Sequence, residues 1–193
     1  MHKAKDTGSD IYVWDWVVRV CHWGIVASFI TNYFIVEPGR LFHEIAGYVG
    51  VALISIRVAW GLRSANPNKK GSADYASFST ISLSKQAFRE HLQHLKHKQI
   101  PRTHGHNPFG WLMVMAVIAL LLGLGITGFM MEEIDALFGN STLEWIHSIM
   151  ADVLYGCVLV HIAAVFAVQR MGNIQLVRPM LTGWRKRSAY VKT

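Results

Sequence analysis

The chain has 193 residues; 52% of them are hydrophobic, 16% are charged, and the formal net charge at pH 7 is +7. A mean hydropathy of +0.27 is unusual for a soluble domain and indicates a membrane protein, and the length fits a single domain. The positive charge does not indicate nucleic-acid binding, because the basic residues flank apolar segments and form no recognition helix.

Four apolar segments are long enough to cross a bilayer, whose hydrocarbon core of about 30 Å needs roughly 20 helical residues. They are predicted as helices at residues 14–36, 41–62, 108–131 and 142–169. The first segment is predicted to be a retained helix and not a removed signal peptide, because no small-residue cleavage pattern follows it. The sequence therefore predicts an all-α membrane protein, a four-transmembrane-helix bundle in a single domain over residues 1–193.

The loops predict the orientation of this bundle. Residues 63–107 and 170–193 are rich in lysine and arginine, and the positive-inside rule places both of them, and hence both termini, in the cytoplasm. The protein is thus predicted to be a multi-pass membrane protein. The loops predicted to lie outside are mainly acidic and contain Glu37, Glu132, Glu133, Asp135 and Glu144.

The long loop between helices 2 and 3 contains a helical repeat of apolar residues. Phe88, Leu92 and Leu95 recur at i, i+4 and i+7, which predicts a cytoplasmic amphipathic helix over residues 84–98 lying on the membrane surface. A solvated loop helix is the alternative that this pattern leaves open.

Four of the ten histidines lie inside the apolar segments, at positions 22, 43, 147 and 161. A strongly polar side chain in hydrocarbon is costly and usually marks a site, although hydrogen bonding between helices is the alternative for any one of them. His147 and His161 are fourteen residues apart on one helix. Their rings therefore point within about 40° of the same direction and lie about 21 Å apart along the axis.

Histidines of different helices that lie at the same depth in the membrane can face each other. This predicts two histidine pairs, an outer pair of His43 with His147 and an inner pair of His22 with His161. Zinc or copper would need three or four ligands at one point, whereas haem iron accepts two axial ligands. The sequence has no CxxCH motif, which excludes covalent c-type attachment. The prediction is two haems b, suited to electron transfer because both axial positions are filled.

Other residues in the spans have less certain roles. Arg57 lies fourteen residues after His43, at the depth of the inner pair, and is predicted to bind a haem propionate. Arg19 is a second candidate, with interface anchoring as the alternative. Asp152 lies roughly opposite the histidine face, and a proton or quinone role is left open. Five glycines either admit a flat macrocycle or allow close helix packing: Gly47, Gly50, Gly123, Gly125 and Gly128.

An ordered set of motifs resembles the bacterial cytochrome b561 family, which includes the b-type cytochrome subunits of nickel–iron hydrogenases. The motifs are Asp15-x-x-x-Arg19-x-x-His22-Trp23, His43-Glu44-x-x-Gly47-Tyr48, Arg57-x-x-Trp60-Gly61, Gly105-His106-Asn107-Pro108-x-Gly110, Thr127-Gly128, and His147 with His161. The resemblance covers nearly the whole chain. It implies two haems b at the four histidines, electron exchange with membrane quinone and a place in the bacterial inner (cytoplasmic) membrane; Asp152 is outside the pattern.

The leading functional prediction is a di-haem b-type membrane cytochrome of a respiratory chain. It would transfer electrons between the membrane quinone pool and a periplasmic redox partner, a c-type cytochrome or a hydrogenase-like protein. Membrane lipid and quinone are its other predicted partners. A superoxide:quinone oxidoreductase is one alternative, although acidic outer loops do not attract an anion. A haem-free assembly or transport protein is another, and the oligomeric state, including a homo-oligomer, stays open.

Overall fold

The computed structural model describes residues 10–63, 77–78, 84, 86, 89, 108–172 and 175–186. Its helices are α1 (Trp16–Ile30), α2 (Leu41–Arg63), α3 (Pro108–Glu133), α4 (Ser141–Gly172) and the short α5 (Val177–Thr182). Two short strands, β1 (Ile11–Tyr12) and β2 (Trp184–Arg185), pair antiparallel. The amphipathic helix predicted over residues 84–98 falls almost entirely outside the described residues.

Within the described residues, three helices, α2, α3 and α4, are long and apolar enough to cross a membrane. Their large apolar side chains point outwards: Ile126 is 61% exposed, Phe166 60% and Val160 59%. A helix that is apolar on all sides belongs in lipid or in the centre of a large protein, and the outward faces of this bundle fit lipid. The protein is therefore a helical membrane protein.

The first apolar segment has a different geometry from the other three. The α-helix α1 has 15 residues, and the chain continues without a break into a π-helical turn of 5 residues, Thr31–Ile35. The Val36 N–H donates to the Thr31 carbonyl at 3.0 Å, which closes the wider turn. At a rise of about 1.5 Å per residue, the combined segment is about 30 Å long.

Helix α1 packs along α2, α3 packs along α4, and α2 contacts α3. At the α1–α2 contact, Ser28 Oγ donates to the Ala46 carbonyl at 2.6 Å. A Cβ added to Gly50 would lie 2.6 Å from the same Ser28 Oγ. Gly125 similarly faces Val51 where α3 contacts α2. These two glycines therefore serve close helix packing, which is the usual role of small residues between membrane helices.

Residues 11–14 and 183–185 contact each other at the end of the bundle where α1 begins. The Val13 N–H donates to the Gly183 carbonyl at 2.8 Å, and Gly183 has a positive φ of 85° that closes α5. Asp15 caps α1 by accepting from the Val18 N–H at 2.9 Å, and it also accepts from Trp60 Nε1 on α2 at 2.9 Å. One carboxylate thus starts α1 and joins it to α2.

Candidate functional site

The inner histidine pair lies near the end of the bundle where α1 begins. His22 is on α1 and His161 is on α4, and their ring centres are 6.5 Å apart with ring planes inclined at 66°. His22 is half-buried and His161 is exposed. The pair therefore brings one imidazole from α1 and one from α4 to the same end of the bundle.

The outer pair lies at the opposite end, where α2 and α4 begin. His43 is the third residue of α2, and its ring centre is 6.3 Å from that of His147, with the ring planes inclined at 57°. Both rings are half-buried. Since His147 and His161 share α4, the two pairs are separated by about 21 Å along that helix.

These distances provide a test of whether a haem iron fits. Two imidazoles bound to opposite sides of one metal, at bond lengths of about 2.0–2.1 Å, have ring centres roughly 6 Å apart. The observed separations of 6.5 Å and 6.3 Å agree with that value. In the described part of the chain, no group of three or more His, Cys, Asp or Glu side chains could hold a metal ion. The donor set therefore fits two bis-histidine sites.

The ring nitrogens of the outer pair give a second observation. Thr127 Oγ1 lies 2.7 Å from Nδ1 of His147, so this ring is held by α3 as well as by α4. Nδ1 of His43 is buried, and it has no hydrogen-bond partner among the residues that the structure describes. Buried polar nitrogens usually have a partner, and none of the described residues supplies one here.

Comparison with protein families agrees with this geometry. The model of the prokaryotic cytochrome b561 family matches residues 13–183. The chain belongs to the prokaryotic cytochrome b561 family. The family resemblance predicted from the sequence motifs is thereby confirmed. Searches of curated proteins and of solved structures found no match.

Membership of the cytochrome b561 family establishes the general activity. Its members bind b-type haem and transfer electrons in the membrane of prokaryotes. The electron carrier is thus a b-type haem. The match covers both histidine pairs, since residues 22, 43, 147 and 161 all lie within it.

The two arginines predicted at this site have different surroundings. Arg57 on α2 is half-buried; its guanidinium carbon lies 5.4 Å from the ring centre of Phe78, and its charge interacts with that of Asp15. Arg19 on α1 donates from NH1 to the Leu181 carbonyl at 2.8 Å. Arg19 therefore helps to hold the C-terminal segment, and binding of a haem propionate by Arg57 stays a prediction.

The structure also places together residues that the sequence left apart. Tyr33, in the π-helical turn, donates from its hydroxyl to Asp152 Oδ1 on α4 at 2.9 Å. Thr127 was visible only as part of a family motif, and no sequence signal predicted its contact with His147. His91, His94, His97, His104 and His106 lie outside the described residues.

Proposed function

We propose that the protein is a di-haem b-type cytochrome that transfers electrons across the membrane between quinone and a periplasmic redox partner. One observation carries this proposal. Two histidine pairs of haem-ligand spacing, 6.5 Å and 6.3 Å between ring centres, lie at opposite ends of the bundle and share α4. One haem at each pair would give electrons a path along the membrane normal.

The four histidines would hold the two haems, His22 with His161 and His43 with His147. When bound, haem b supplies reversible one-electron oxidation and reduction. An iron held by two histidines would be suited to electron transfer rather than to oxygen binding. The Thr127 hydroxyl orients the His147 ring, and such contacts to the second ring nitrogen are a common support of metal-binding histidines. Arg57 would supply positive charge beside the inner pair.

The membrane arrangement that we propose has four spans. The combined segment of α1 and the π-helical turn is about 30 Å long, which equals the thickness of a bilayer core. Lysine and arginine are concentrated in residues 63–107 and 170–193, and the positive-inside rule places those segments in the cytoplasm. The pair His43–His147 would then lie near the periplasmic face of the inner membrane.

The charge at that face favours a protein partner over superoxide. Arg40 is in an ion pair with Glu37, with nitrogen and oxygen 3.2 Å apart. Acidic side chains are exposed at the same end: Glu37, Glu132, Glu133, Asp135 and Glu144. A negative surface repels an anion and attracts a basic protein surface, so a c-type cytochrome with a basic docking face fits the site better.

The visible absorption spectrum of the purified protein tests the proposal. We expect a Soret band, split α bands after reduction, and extraction of two non-covalent haems b for each chain. Addition of a quinol under anaerobic conditions should reduce them. A protein without a Soret band would exclude a haem cytochrome, and one haem for each chain would exclude the transmembrane pair. Haem that is reduced by superoxide and not by quinol would favour the alternative activity.

A further inference from the structure

A second polar contact joins α1 and α4 within the membrane-spanning part, apart from the histidine pairs. The hydroxyl of Tyr33 donates to Oδ1 of Asp152 at 2.9 Å. Asp152 is exposed on the side of α4 that points away from the bundle. Its neighbours Ile149 and Val153 are 40% and 49% exposed, so the surrounding surface is apolar. A carboxyl group that faces lipid is costly, and such groups are usually kept for a function.

Aromatic rings surround this contact. Tyr33 stacks on Tyr155, with ring centres 4.8 Å apart and planes inclined at 22°, and on Phe29 at 5.5 Å and 23°. Phe34 meets the Tyr155 ring edge-on at 5.7 Å and is itself 60% exposed. The carboxyl group therefore lies beside an aromatic surface that opens towards the bilayer.

The position along α4 relates this surface to the histidines. Asp152 follows His147 by five residues, which places it about 7.5 Å further into the membrane and about 140° around the helix. It precedes His161 by nine residues, or about 13.5 Å. The site is thus nearer to the outer pair, below the membrane surface, and on the lipid side of α4.

We propose that Asp152, Tyr33 and Tyr155 bind the head group of a membrane quinol. A ligand of this surface must arrive through lipid, must present a flat ring to the aromatic side chains, and must offer a hydroxyl or carbonyl group to the polar pair. A quinol has these three properties, whereas phospholipid head groups stay at the interface. The inference rests on the proposed quinone-linked function and assigns the quinol a binding site on the protein.

The carboxylate also suits the chemistry. Oxidation of a quinol to a quinone breaks two O–H bonds and releases two protons and two electrons. The quinol hydroxyl next to Asp152 would give its proton to the carboxylate, and the hydroxyl at the other end of the ring would release its proton to water. The two electrons would leave in two one-electron steps, each to the b-type haem that the family binds. Tyr33 is the one hydrogen-bond partner of Asp152 within the described residues, and it orients the carboxylate through Oδ1.

A simpler role for Asp152 would be to join α1 to α4 through its hydrogen bond with Tyr33. The variant Asp152→Asn separates the two roles, because the amide oxygen still accepts from Tyr33 but the side chain cannot take a proton. Tyr48→Phe is a matched control, since Tyr48 donates to Glu133 at 3.4 Å in a second tyrosine–carboxylate contact, between α2 and α3.

The experiment measures binding of a short-chain benzoquinol to the haem-loaded protein by calorimetry, and reduction of the haem by the same quinol. We expect Asp152→Asn and Tyr33→Phe to weaken binding about tenfold, as the loss of one hydrogen bond to a charged group does. Tyr48→Phe should bind as the wild type does. Equal binding by all four proteins would overturn the site while leaving the proposed function intact.

Covalent labelling of the wild type gives an answer that needs no variant. An azide-bearing benzoquinone, activated by light, should label peptides that contain Tyr33 or residues 149–156, and unlabelled quinol should suppress that labelling. Labelling confined to other peptides would overturn the site. A wild-type protein that neither binds the quinol nor is reduced by it would overturn both the site and the quinone-linked function.

Discussion

The hydroxyl of Thr127 and Nδ1 of His147 lie 2.7 Å apart, and the same hydroxyl lies 2.9 Å from the Gly123 carbonyl and 3.2 Å from that of Leu124. A hydroxyl has one proton, and both carbonyls only accept. When Thr127 donates to a carbonyl, its oxygen accepts the proton of His147 Nδ1. The other ring nitrogen, Nε2, then has a free lone pair and can bind a metal.

Replacement of Thr127 by valine should therefore raise the midpoint potential of one haem. The hydrogen bond makes the imidazole a stronger electron donor, which stabilises the oxidised iron, and valine removes it. A net contribution of about 1 kcal/mol corresponds to a shift of about 40 mV for one electron. Redox titration followed in the α band measures the shift. Thr127→Ser keeps the hydroxyl and should behave as the wild type does; a shift of both haems would contradict the assignment.

The histidine variants should fall into two classes. His43→Ala and His147→Ala should each lose the outer haem, and His22→Ala and His161→Ala the inner one, because one axial ligand holds b-type haem poorly. Pyridine haemochrome assays and reduced-minus-oxidised spectra measure the loss.

Double variants test the pairing itself. The combination of His43→Ala with His147→Ala should match either single variant, since both ligands serve one haem. The combination of His43→Ala with His161→Ala should lose all haem. If the first double variant lost two haems, or the second only one, the predicted pairing would be wrong.

Helix geometry explains how much of this site could be predicted from the sequence. The spacing of fourteen residues between His147 and His161 depends only on the rise and rotation of one helix, and depth matching of His22 and His43 depends only on topology. The structure brings the rings together in those pairs, at 6.5 Å and 6.3 Å. Ligation itself stays a prediction that the histidine variants test.

Contacts that depend on how two helices are rotated against each other could not be predicted. The approach of Thr127 to His147 depends on the α3–α4 contact, and that of Tyr33 to Asp152 depends on the π-helical turn, which changes the direction of Tyr33. Hydropathy patterns do not reveal such a turn. Residues 175–186, predicted only as part of a cytoplasmic tail, include α5 and β2, and the Gly183 carbonyl accepts from the N–H groups of Val13 and Trp14, a contact that no sequence pattern predicts.

Arg57 and Arg19 should differ in their effect on the inner haem. Arg57→Leu should lower its midpoint potential, because a nearby positive charge favours the reduced form. A unit charge about 10 Å away at an effective dielectric constant of about 20 changes a potential by roughly 70 mV. Arg19→Leu should change it less, because the Arg19 guanidinium is held at the Leu181 carbonyl of the C-terminal segment. Redox titration of both variants measures this order; a larger shift for Arg19→Leu would assign the propionate to Arg19.

The acidic end of the bundle should make electron transfer to its partner depend on salt. Exposed carboxylates next to the outer histidine pair would attract the proposed partner, a basic c-type cytochrome, over long distances, and salt would screen that attraction with a Debye length of about 10 Å at 0.1 M. Stopped-flow oxidation of the reduced protein by such a cytochrome should therefore slow as salt rises from about 10 mM to 0.3 M.

Charge reversal at this end provides the control. Glu132→Lys with Glu133→Lys should slow the reaction at low salt and have little effect at high salt, because only the screened part of the interaction changes. The same pair of substitutions should leave both haem spectra unchanged, since these residues are exposed at the end of α3. Faster oxidation of the double variant by the basic cytochrome would place the docking surface elsewhere. Faster reduction of its haem by superoxide would show that the native acidic residues exclude that anion.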